Sequence, residues 1–139
     1  MAFSEETEAK LIRRPDAPDH YMRVKPVDKL VLITLGDTVL AQSSAALRVI
    51  EVGKDIYDPV FYIRPSDLIA ELRKEDKSTH CPLKGDATYY SSKFAEMDGW
   101  AEDIAWSYDD PLDFAEIIKG YVAFDASRVA ITEAPHPQG

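Results

Sequence analysis

Cysteine occurs once in these 139 residues, at Cys81. A single thiol cannot close an intramolecular disulfide, so nothing calls for an oxidising compartment. Nor can it supply the four Cys or His ligands of structural zinc, because only His20, His80 and His136 accompany it. Carboxylate-rich sites for harder cations stay open in the acidic segment, but no ordered EF-hand pattern is present, and no metal or cofactor is expected. Long apolar runs are missing: none approaches the ~18 residues of a membrane-spanning helix. The opening Met1-Ala2-Phe3-Ser4-Glu5-Glu6 has neither the basic nor the apolar region of a secretory signal, so a cytoplasmic location is the default expectation. Positive charge is scarce where negative charge is dense. Between Lys93 and Lys119 stand Glu96, Asp98, Glu102, Asp103, Asp109, Asp110, Asp113 and Glu116, and no Lys or Arg. With 16 basic and 25 acidic residues the net charge is -9, the wrong sign for a nucleic-acid footprint. Nucleic acid and membrane are therefore not expected as partners, and the acidic run reads as a solvated face.

What is present suits one domain with one core. Residues 1–29 read as an N-terminal arm with Pro15, Pro18 and Pro26, mixed charge and little periodicity. A short helix over residues 4–14, capped by Ser4, is expected within it. The arm is expected to fold over the domain or to reach a second copy of the chain, as in a homo-oligomer. Residues 30–133 form the β-rich domain, and 134–139 a loose tail.

Within that domain Leu30-Val31-Leu32-Ile33-Thr34-Leu35 is a strand, and Gly36-Asp37 suits a type II′ hairpin turn. Further strands are expected over 38–41, 46–52, 60–63, 87–91 and 104–108. A helix is expected after Pro65, with Leu68, Ile69 and Leu72 as its stripe, ended by the polar run 74–79. A second follows Pro111, burying Phe114, Ile117 and Ile118 and stopping at Gly120. Residues 121–124 and 129–132 read as a closing hairpin. The sum is a mainly β chain, an antiparallel barrel or sandwich with two short helices.

Chemistry-bearing residues concentrate around Thr79-His80-Cys81-Pro82-Leu83-Lys84-Gly85-Asp86. A thiol attacks only as thiolate, which needs a base or a cation beside it. In an extended chain His80 and Cys81 point to opposite sides, and the proline after Cys81 favours extension. Lys84 is the better local cation, although Cys81 also reads as a small buried hydrophobe. Lys84 beside Gly85 suits anion capture, but the P-loop pattern is absent. Arg48 and Glu51, three apart on one strand, fall on opposite faces, and whichever faces inward needs a partner. Arg48 is placed to reach a carboxylate or an anionic ligand, and Glu51 to accept from Lys84 or to serve as a general base. Tyr62, Tyr89, Trp106 and Tyr108 occupy strand positions where such rings wall a pocket or fill a core.

These residues carry a resemblance. Leu47-Arg48-Val49-Ile50-Glu51, Tyr62 with Pro65 and Asp67, the Cys-Pro-Xaa-Lys-Gly segment running into Ala87-Thr88-Tyr89, Ala105-Trp106-Ser107-Tyr108 with Pro111, and Gly120-Tyr121-Val122-Ala123-Phe124 resemble the bacterial family known as domain of unknown function 427, also labelled nucleotidyltransferase-like. The likeness spans roughly residues 30–133. It implies a compact β fold similar to the β-tent group that includes methionine sulfoxide reductase B, and no particular activity. Zinc does not carry over, because the paired Cys-Xaa-Xaa-Cys motifs of that group are missing. The spaced metal-binding aspartates and glycine-serine entry of nucleotidyl transfer are missing too.

The resulting expectation is a pocket for a small anionic metabolite. Lys84 and Arg48 would neutralise the ligand, Tyr62, Tyr89, Trp106 and Tyr108 would wall it, and Glu51 or Cys81 would react if the protein is an enzyme. The rival expectation is a non-catalytic interaction or structural domain, meeting a partner through its acidic face or its arm.

Overall fold

A computed structural model describes residues 3–95 and 99–136. The chain is mainly β, with eleven strands in three antiparallel sheets among the described residues. In chain order they are β1 (Leu11–Arg14), β2 (Ala17–Pro26), β3 (Leu30–Leu35), β4 (Thr38–Ser43), β5 (Leu47–Val52), β6 (Val60–Tyr62), β7 (Leu72–Cys81), β8 (Gly85–Phe94), β9 (Gly99–Ser107), β10 (Val122–Phe124) and β11 (Ala130–Ala134). The sheets run β1-β2-β5-β6, β10-β9-β8-β7 and β11-β3-β4. Among the described residues no sheet closes on itself, so of the two expected architectures the sandwich is the compatible one. Ile63 and Val122 exchange backbone hydrogen bonds of 2.8 and 2.7 Å, joining the first sheet to the second.

Two apolar clusters fill the space between sheets. One gathers Val31, Ile33, Leu40 and Ala41 with Ala101, Ala105, Val122 and Phe124. The other gathers Met22, Val24, Val49 and Tyr62 with Ala87, Ala123, Leu83 and Ile118. Val122 and Phe124 serve one cluster and Ala123 the other, so β10 is buried on both faces and is apolar throughout.

The β3–β4 hairpin forms as the sequence predicts. Leu35 opposes Thr38, leaving Gly36 and Asp37 as the turn. Gly36 has φ 58°, and the only non-glycine residue with positive φ among those described is Asp103, which makes the turn type II′.

Other expectations change. The expected arm is, over its described residues 3–29, part of the fold: β1 and β2 form a hairpin, and β2 pairs along β5 from Tyr21↔Val52 to Pro26↔Leu47. Met22 has no exposed surface and Val24 is 5% exposed, so alternation from Met22 to Val24 drives the pairing. Pro26 closes its strand and Pro18 lies beside the hairpin turn, positions where a missing N–H costs no ladder bond. Helix α1 spans only Glu5–Glu8, capped by the Ser4 side chain, which accepts from the Thr7 N–H at 3.2 Å.

The helix expected after Pro65 is a single 3-10 turn, Pro65–Asp67. Beyond it the chain lies along β4, with the Ile69 and Ala70 N–H groups both donating to Leu40 O at 2.9 and 3.1 Å, and Ile69 is 59% exposed. The polar run expected to end that helix is edge strand β7. The helix after Pro111 is a kinked 3-10 segment, Asp113–Ile118, which buries Ile118 and Ala115 but leaves Phe114 37% and Ile117 54% exposed. Gly120 ends it at φ 75°. The expected closing hairpin does not form: β10 pairs β9 and β11 pairs β3. An Asp125 turn, in which Asp125 Oδ1 accepts from the Ser127 N–H at 3.0 Å, sends the chain from one sheet to the other.

Of the expected tail, Ala134 closes β11 and His136 Nε2 stands 3.1 Å from Asp28 Oδ1; residues 137–139 lie outside those described, as do Glu96 and Asp98 of the acidic run. No helix of the described residues is long and apolar enough to cross a membrane.

Candidate functional site

Strand pairing puts the site together. Met22 opposes Glu51 across β2 and β5, and Val24 opposes Val49. Val49 and Glu51 therefore share the face that packs on the interior. His20, two residues before Met22, lies on that face as well, one diagonal step from Glu51. Its Nε2 stands 2.7 Å from Glu51 Oε2. The other oxygen, Oε1, accepts from Lys84 Nζ.

Lys84 arrives from the opposite sheet. Cys81 pairs with Gly85 across the short turn of residues 82–84 that joins β7 to β8. Leu83 anchors that turn with no exposed surface, and the Leu112 N–H donates to Lys84 O at 2.9 Å. Gly85 has φ 113°, and a Cβ there would come within 3.1 Å of Leu112 N. Only glycine lets the turn lie this close to the segment after Pro111. The result is a lysine 7% exposed, its ammonium 5.8 Å from the Tyr108 ring centre.

Electrostatics follow from this burial. Removal from water pushes the Glu51 carboxyl up, but the charge and hydrogen bond of Lys84, with the hydrogen bond of His20, outweigh it and hold Glu51 below its ordinary value. Burial also works against the Lys84 ammonium. The opposing negative fields, from Tyr62, Glu51 and Cys81, leave its pKa raised, and at neutral pH Glu51 is the partner that counts. Burial raises Tyr62 and Tyr108 in turn, which keeps both as neutral phenols.

Beside His20 the surface opens into a cleft of about 450 Å3, lined by Arg14, Ala17, Asp19, His20, Gly53, Lys54, Tyr57 and Pro82. It lies between the β1–β2 hairpin, the loop after β5 and the tip of the β7–β8 turn. Arg14 is held by Asp16 through contacts of 2.8 and 3.2 Å, and its Nη1 stands 3.4 Å from His20 Nδ1. A second hollow, of about 440 Å3, lies near Ile69 and Phe94 and is mostly apolar. Among the described residues no three His, Cys, Asp or Glu side chains stand together as a metal would require.

The residues singled out from the sequence separate into groups. Glu51 and Lys84 meet each other directly behind His20. Cys81 is a half-buried free thiol packed against the second cluster. Tyr62, 2% exposed, and Tyr108, 6% exposed, are core side chains; Tyr89 and Trp106 pack on the same cluster with ring centres 6.2 Å apart. None of these four rings lines the cleft. Arg48 faces the other way: its Nη2 bonds Glu133 Oε1 at 2.6 Å and its guanidinium lies over Phe61. It is a surface ion pair rather than part of this site, because residue 48 falls on the opposite face of β5 from residue 51. His80 likewise points outward, to Asp86 at 2.8 Å.

Sequence reasoning did not find His20, Arg14, Gly53, Lys54 or Tyr57, because the first two fell in the supposed arm and the others in a loop. The signal that finds His20 is its spacing from Met22 and Val24, once residues 20–24 are read as a strand.

No curated protein matches the chain. The family model described as a domain of unknown function (DUF427) matches residues 23–134, from the middle of β2 to the end of β11. With Cys81, Lys84 and Gly85 inside the matched span, and most of the chain covered, this protein belongs to that family.

Proposed function

We propose that the domain binds a small anionic metabolite in the cleft beside His20, with Arg14, Lys54 and His20 as polar contacts and Tyr57 and Pro82 as apolar walls. One observation carries this reading. In a chain of net charge -9, Arg14, Lys54 and His20 gather at a single hollow with only Asp19 as an acidic lining residue. Its volume of about 450 Å3 falls in the range of small-molecule sites. Asp19 favours a ligand that also carries a hydroxyl or amino donor. Lys84 has a different role from direct anion capture: its charge is used by Glu51, and it fixes the carboxylate that orients His20.

The test is a thermal melt against a panel of phosphate esters, nucleotides and dicarboxylates. A ligand at ten times its Kd adds about 1.4 kcal/mol, a rise of roughly 4–6 °C for a chain this size. Lys54→Ala should lose that response, and Arg48→Ala, on the far face, should keep it. A flat panel, or equal responses from wild type and Lys54→Ala, overturns the reading.

A further inference from the structure

The two ring nitrogens of His20 meet different surroundings. Nε2 faces inward to Glu51 Oε2 at 2.7 Å. That carboxylate is paired with Lys84 and can only accept, so the ring hydrogen sits on Nε2. Nδ1 faces Arg14 Nη1 at 3.4 Å, and a guanidinium can only donate. The imidazole is therefore neutral here, with its Nδ1 lone pair on the cleft side. The ring lies close against Gly53, where an added Cβ would stand 3.1 Å from His20 Cδ2 and 3.4 Å from Nε2.

The charges around the ring come from every element that meets it. Arg14 ends β1 and Asp16 lies in the β1–β2 turn, Asp19 is on β2, Glu51 on β5, Lys54 in the following loop and Lys84 in the β7–β8 turn. Arg14, Lys54 and Lys84 balance Asp16, Asp19 and Glu51, so the cluster is neutral while His20 is neutral. An entering dianion breaks that balance and offers Nδ1 an acceptor. A proton on Nδ1 restores it in part, since the imidazolium would then donate to Glu51 through Nε2 and to the ligand through Nδ1.

We infer that His20 takes up a proton from solvent at Nδ1 when a small dianion binds, so that the cleft holds the dianion against an imidazolium. This rests on the anion-binding reading and adds to it the ligand's double charge and a coupled proton. No bond to the ligand forms or breaks.

Sulfate is the probe, because it carries two charges and does not titrate near neutral pH. Calorimetry at about pH 7.5 in buffers of differing ionisation enthalpy counts the protons taken up. The expected result is an uptake approaching one proton per sulfate, absent in His20→Gln. Affinity should fall as pH rises, by up to tenfold per pH unit where one proton is taken up with each sulfate. Sulfate binding without proton uptake overturns the coupling and leaves the anion site standing. No sulfate heat between about pH 5.5 and 8 overturns this inference, while the metabolite melt decides the anion site separately. A measurement on the free wild-type protein guards against a variant that fails to fold. Long-range proton–nitrogen correlation of His20 should report hydrogen on Nε2, and a hydrogen on Nδ1 instead overturns the inference.

Discussion

Replacing Lys84 with methionine tests the buried pair that organises the site. Methionine keeps most of the aliphatic stem, so packing loss is small and the change isolates the ammonium. Glu51 then stays in place with a side chain 16% exposed and Oε1 without its donor. Removing one partner of a buried pair costs about 3–5 kcal/mol. His20 still serves Oε2 at 2.7 Å. The lower end therefore applies: about 3 kcal/mol, roughly a hundredfold in the folded-to-unfolded ratio.

The loss must depend on pH. In the wild type the Glu51 pKa is depressed by Lys84, so its contribution is present above the unfolded-chain value and is lost as pH falls through the folded value. In Lys84→Met burial pushes the carboxyl up, and the sign inverts: the neutral acid is tolerated, and stability is lost as pH rises through the raised value. Urea melts at about pH 7.5 and about pH 4 should show a large gap between the proteins at the first and a smaller one at the second. Adding Glu51→Leu to Lys84→Met should recover at least half of the loss, since no carboxylate is then stranded. A loss below about 1 kcal/mol at neutral pH, or the same loss at both pH values, refutes the reasoning.

Met22→Ala should cost about 2–5 kcal/mol in urea melts, as for any large side chain with no exposed surface; a negligible effect would return residues 1–29 to a detachable arm. Gly85→Ala should cost about 1–3 kcal/mol from its φ of 113°, with crowding against Leu112 N in addition, and a neutral outcome would show that the turn can move away from the segment after Pro111. Tyr90, whose hydroxyl donates to Asp109 Oδ2 at 2.9 Å, is pushed up to about 12 by burial and by that carboxylate. The stability it adds is present below its unfolded value near 10 and lost as pH rises through about 12. Ultraviolet titration should place it there and lower in Asp109→Asn, and an unchanged midpoint in the variant would count against that contact.

Legibility in the sequence followed burial. Strands with one or two buried faces, such as β3, β5 and β10, announce themselves by apolar alternation or by an apolar run. Edge strand β7 does not. Leu72-Arg73-Lys74-Glu75-Asp76-Lys77-Ser78-Thr79-His80-Cys81 is mostly exposed, and its charges, which deter pairing with other chains, make it read as a loop. Pro15, Pro18 and Pro26 concealed the β1–β2 hairpin in the same way. That omission hid His20 and Arg14, so Glu51 and Lys84 were recognised without the group they orient. Arg48 shows the reverse: two charges three apart on a strand leave open which faces inward, and only the neighbours settle it. Val49, with its inward side chain two residues away, assigns that role to Glu51. The 3-10 segments read as helices because proline starts look alike, whereas Ile69 and Ile117, more than half exposed, show that no helical stripe is buried there.

The central claim, that the cleft beside His20 is an anion site, is tested most directly by titrating isotope-labelled protein with inorganic phosphate and following backbone amide shifts. Saturable shifts centred on Arg14, His20, Gly53, Lys54 and Tyr57 are the predicted result. Shifts that never saturate, or that centre on the apolar hollow near Ile69 and Phe94 instead, would contradict it.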